Sequence, residues 1–169
     1  MTNIFDLAPT PSDAIQAMLT GLKRAEKQAG FTAHMNTWAA YDPQTKTCFG
    51  CAAFCTLAHL THSGFIFDDT PTSEERAALF FPKDSDNPDT IHQFNRFETA
   101  IDLLRQGSLH SLFTFYGISS ETVDDAIKAV QEDSSQILFS ESKAQNPEKW
   151  EASMKAADRV RGALRKMGL

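Results

Sequence analysis

The chain has 169 residues, of which 41% are hydrophobic and 22% charged, a balance that supports a buried core and excludes disorder along its whole length. Its net charge of −6 opposes non-specific attachment to nucleic acid, whose phosphates reward a basic face, so no nucleic-acid partner is expected. No apolar run approaches the roughly 18 residues of a membrane span, and the opening MTNIFDLAPTPSD has neither the charge nor the apolar run of a secretion leader.

Three cysteines within eight positions do not make a secreted disulfide framework, so a reducing, cytoplasmic setting is the expectation. The length suits one domain over residues 1–169.

Thr10-Pro11-Ser12-Asp13 combines an N-cap, a first-turn proline and a capping acid, and Ala14, Ile15, Met18, Leu19, Leu22 and Ala25 follow at helical spacing until Gly30. FTAHMNTWAAYDPQTK has no clean period; part of it reads as a short strand, with a turn at Asp42-Pro43. From about Cys48 to Thr61 the alanine- and leucine-rich sequence reads as a helix.

SGFIFDD reads as a short extended piece, and Thr72-Ser73-Glu74-Glu75 as a capping box before a short helix ending ahead of Pro82. Asn87-Pro88 opens a helix whose stripe is Ile91, Phe94, Phe97, Ile101 and Leu104, interrupted by Glu98. SLHSLFTFYG, the segment after Ser119-Ser120, and the segment after Asn146-Pro147 give three more helices, while SSQILFSES reads as a strand or a buried connector. The fold class is therefore mainly α, a multi-helix domain with at most a few short strands; the alternative is α+β with a small sheet.

The segment TCFGCAAFCTLAHLTH holds all three cysteines and two of the five histidines. On a helical wheel with Cys51 at zero, Cys55 falls at about 40°, His59 at about 80° and His62 at about 20°. One alternative makes Cys51, Cys55, His59 and His62 ligands of a soft or borderline metal such as zinc. Four in-line donors on one helix span about 16 Å, however, so at most two neighbours could share an ion. A redox reading of Cys48-Phe49-Gly50-Cys51 needs a strand ahead of it, where Asp42-Pro43 instead gives a turn.

A second alternative makes Cys51 a nucleophile, with His110 or His92 as its base. CFGCAAFCTLA resembles the start of the catalytic helix in papain-type cysteine proteases, C-G-[SA]-C-[WY], over about a dozen residues. That resemblance implies that Cys51 is the attacking thiol, while Phe49, Gly50 and Ala52 depart from the pattern. The third reading packs Cys51, Cys55 and Ala58 as a small-residue seam against another helix, with Phe54 and Leu57 supplying bulk.

Phe80-Phe81-Pro82 is the best candidate for an exposed apolar patch, and Glu98 and Arg161, each interrupting an apolar stripe, are candidates to pair with one another. No phosphate loop, H-E-x-x-H, G-x-S-x-G or EF-hand pattern occurs. The leading expectation is an accessory, regulatory or protein-interaction domain without a resident cofactor, engaging a protein partner or a second copy of itself. A thiol enzyme and a metal- or redox-responsive binder are the alternatives.

Overall fold

The computed structural model describes residues 3–169. In chain order the elements are α1 (Ile4–Leu7), α2 (Pro11–Glu26), β1 (Phe31–Ala33), β2 (Ala39–Asp42), β3 (Thr47–Gly50), α3 (Ala52–Leu60), α4 (Arg76–Phe80), α5 (Pro88–Leu104), α6 (His110–Phe115), α7 (Ser120–Ser134) and α8 (Pro147–Lys166). The protein is mainly helical with one small mixed sheet, in the order β1-β3-β2.

The helix starts follow the cap chemistry of the sequence. Thr10 and Asp13 form a reciprocal capping box on α2; Asn87, Ser119 and Asn146 cap α5, α7 and α8 by accepting from the backbone N–H groups of Asp89, Thr122 and Lys149. Each side chain satisfies an N–H that the first helical turn leaves without a partner. At Thr72 the backbone N–H does reach Glu75 Oε2, at 2.8 Å, but the helix it was expected to open begins only at Arg76.

The cysteine segment departs from the expected single helix. Thr47–Gly50 is the central strand, pairing parallel to β1 and antiparallel to β2, so Cys48 lies on a strand and the helix starts at Ala52. The hairpin between β2 and β3 accounts for the difference. Asp42 accepts hydrogen bonds from the Gln44 N–H and the Thr45 hydroxyl, which close the turn and hold its carboxyl below the usual range, and Lys46 turns the chain at φ 52°. With the turn fixed, Thr47 and Phe49 fall into a ladder that local helix propensity cannot override.

SGFIFDD and SSQILFSES carry no ladder; the second is a connector with Ile137 and Phe139 buried.

Helix α3 lies at the centre, packed against α2 on one side and α5 on the other, with α8 against α2 and α7. Of the expected small-residue seam, Cys55 and Ala58 are fully buried within α3, whereas Cys51 precedes the helix as its N-cap and lines a cavity instead. The facing residue on α2 is Gly21, where a Cβ would lie 2.7 Å from the Cys55 carbonyl carbon and nearer still to its oxygen. Beside this contact Phe54 meets the rings of Phe31, Trp38, Phe67 and Phe80 at centroid distances of 5.4–5.7 Å. Gly50 leaves room for that ring, since a Cβ there would sit 2.6 Å from Phe54 Cδ1.

The expected exposed patch at Phe80-Phe81 is overturned: both residues are buried, because α4 folds back and seats Phe80 against Trp38, Phe54 and Phe94. Among the described residues no helix is long and apolar enough to cross a membrane.

A candidate ligand cavity at Cys51

The three cysteines, within eight positions of sequence, face different surroundings. Cys48 on β3 packs against the turn at Phe67, its thiol 3.2 Å from the Phe67 carbonyl oxygen. Cys55 is enclosed in the α2–α3 contact, and burial pushes its thiol far above its ordinary pKa. Cys51 is the N-cap of α3 and lines a cavity of about 280 Å³ together with Trp38, Ala53, Arg76, Glu98, Thr99, Asp102 and Leu103.

Four parts of the chain build this cavity. The connection between β1 and β2 brings Trp38, whose carbonyl accepts from the Cys51 N–H at 3.2 Å. The strand-to-helix junction brings Cys51, and α4 supplies Arg76 from its first position. Glu98 and Asp102, one turn apart on α5, share a face with Thr99 and Leu103. The Arg76 guanidinium stacks 4.6 Å from the Trp38 ring centroid, and its Nη1 lies 3.4 Å from Glu98 Oε1.

This corrects the expected Glu98–Arg161 pairing. Glu98 meets Arg76, while Arg161 binds Asp158 one turn back along α8, at 3.0 Å. A bond to a neighbour on the same helix fixes Arg161 without any approach to α5.

The polar wall is incompletely satisfied. Trp38 Nε1, Arg76 Nε and Glu98 Oε2 are buried without a hydrogen-bond partner, and all three belong to residues lining this one cavity. Burial raises the Glu98 pKa, with Asp102 adding to the rise, while Arg76 and the nearby Trp38 indole pull it back. The indole therefore acts on the carboxyl without completing a hydrogen bond to it.

Cys51 itself is 4% exposed, and burial pushes its thiol up to about 11. The backbone N–H groups of Phe54 and Ala53 oppose the rise, as a helix start should, but desolvation wins and Asp102 and Glu98 reinforce it. At neutral pH the sulfur is a thiol rather than a thiolate.

The remaining candidates lie elsewhere. His92 and His110 are exposed, and neither lines the Cys51 cavity. His59 sits in the last turn of α3 with Nδ1 3.1 Å from Arg24 Nη1, and burial, then Arg24, lowers its pKa. His62 lies beyond the helix end at φ 54°. Among the described residues no three His, Cys, Asp or Glu side chains are placed to hold one metal ion.

Trp38, Arg76 and Asp102 were not singled out from sequence. Glu98 was, because it breaks an apolar stripe. The chain matches no family model, no curated protein and no solved structure.

Proposed function

We propose that this protein works by binding, as an accessory or regulatory domain that holds a partner group in the Cys51 cavity, and that Cys51 is part of the cavity wall rather than a nucleophile. The observation that supports this is the burial of the sulfur, 4% exposed at the residue level. A thiol held near pKa 11 carries little thiolate at neutral pH, and its neighbours in the cavity are two carboxylates, an arginine and an indole. Buried polar atoms left without partners, gathered around one recess, suit recognition of a small polar group. The reading places the protein in a reducing, cytoplasmic compartment, where the free Cys48, Cys51 and Cys55 persist.

Alkylation of the native protein with iodoacetamide at neutral pH, mapped by peptide mass, tests the reading. Cys51 is expected to react at least tenfold more slowly than it does in the denatured chain. Labelling of native Cys51 faster than a free thiol would assign it a nucleophilic role instead.

A further inference from the structure

We propose that the cavity at Cys51 is a receptor for a guanidinium group, carried by a free small molecule or by an arginine side chain of a partner, with the chain's own Arg76 as its resident occupant. The inference rests on the binding reading above and names the chemistry of what is bound.

The walls match a planar cation. An indole face attracts a cation through its ring quadrupole, and Glu98 supplies a carboxylate beside it, while Asp102 adds negative charge although one of its oxygens already holds Arg105 at 2.8 Å. Arg76 demonstrates the fit by stacking on Trp38 and touching Glu98. Its fit is nevertheless poor. A guanidinium opposite a carboxylate normally engages it through two parallel N–H···O bonds. Here a single contact of 3.4 Å joins Nη1 to Oε1, while Arg76 Nε and Glu98 Oε2 are left without partners. A guanidinium entering from outside can approach Glu98 fork to fork, which Arg76, tethered at the first position of α4, does not achieve.

Displacement requires little rearrangement. The Arg76 side chain is 36% exposed, so it can swing into water while Ala77 and Phe80 keep α4 anchored in the core. With Arg76 in place about 280 Å³ stands open beside it, room for a side-chain-sized group to enter as Arg76 leaves. The segment 68–89, within which α4 lies, carries Asp68, Asp69, Glu74, Glu75, Asp84, Asp86 and Asp89 against Arg76 and Lys83, an excess of acid that favours a cationic ligand over an anionic one.

The test titrates methylguanidinium chloride, as the free group, and the peptide Gly-Arg-Gly into full-length wild type and Arg76→Ala, following the Trp38 Nε1–H resonance by NMR, with urea as the neutral planar control. In Arg76→Ala the resonance is expected to move saturably with both guanidinium probes and not with urea. Affinity should be at least tenfold higher than in wild type, where Arg76 competes, and should fall at least tenfold when Glu98→Gln is added. If Arg76→Ala does not fold, Arg76→Gln keeps the stem and removes the charge.

A more than tenfold preference for the peptide assigns the group to a protein partner, and equal or tighter binding of methylguanidinium assigns it to a free molecule. A folded Arg76 variant whose Trp38 resonance does not saturate with either probe, or responds equally to urea, overturns the proposal. It would leave the binding reading standing, since that reading falls only if native Cys51 proves reactive.

Discussion

Phe54→Ala is expected to lower the stability of the protein by about 3–5 kcal/mol, the range for deleting a buried aromatic ring. Phe54 is 1% exposed and holds the sheet, the Trp38 turn, the Phe67 loop and α4 to α3 through its four ring contacts. Two losses add at this position: the apolar surface no longer removed from water, and the void left between elements that cannot all close in. Because domains are commonly stable by only about 5–15 kcal/mol, this one change takes a large share of the total. Equilibrium unfolding in urea reads the effect as a fall in midpoint, and a loss below about 1 kcal/mol would show that the aromatic cluster does not hold these elements together.

Gly21→Ala should also destabilise, and here the sign carries the argument. In a helix interior alanine is favoured over glycine by about 1 kcal/mol, so an unobstructed site would become more stable. At Gly21 the new Cβ would meet the carbonyl group of Cys55, backbone that cannot rotate aside as a side chain could. Overpacking costs about 1–3 kcal/mol, so it outweighs the gain in propensity and drives α2 and α3 apart. Gly162 on α8 provides the matched control, because nothing lies within 4 Å of its would-be Cβ. Gly162→Ala is expected to stabilise by up to about 1 kcal/mol, and a stabilising Gly21→Ala would contradict the close α2–α3 approach.

Much of the helical framework could be read from the chain because its caps are local. Thr10, Asn87, Ser119 and Asn146 each act on a backbone N–H two or three residues away, a chemistry that needs no tertiary contact. The strand at Thr47–Gly50 was hidden because its ladder partners, Phe31–Ala33 and Ala39–Asp42, are set by the hairpin and the sheet rather than by local preference. The seam at Cys55 and Ala58 followed from side-chain size and periodicity, and Gly21 completes it.

Of the cavity, only Cys51 and Glu98 were legible. A carboxylate within an apolar stripe announces that something faces it, but not what. The partner came from Arg76, twenty-two residues earlier in the chain, on a short helix whose return over Trp38 depends on the burial of Phe80. Trp38 itself sits in a stretch without periodicity, and no spacing rule connects it to Cys51.

The account depends most on Cys51 being a neutral thiol within its cavity. The direct measurement is a pH titration of the Cys51 Cβ resonance in ¹³C-cysteine-labelled protein, assigned with Cys51→Ala. The account predicts an unchanged shift through neutral pH and a midpoint near 11. A midpoint below that of an ordinary thiol, about 8.5, would contradict it and make Cys51 the reactive centre of the protein.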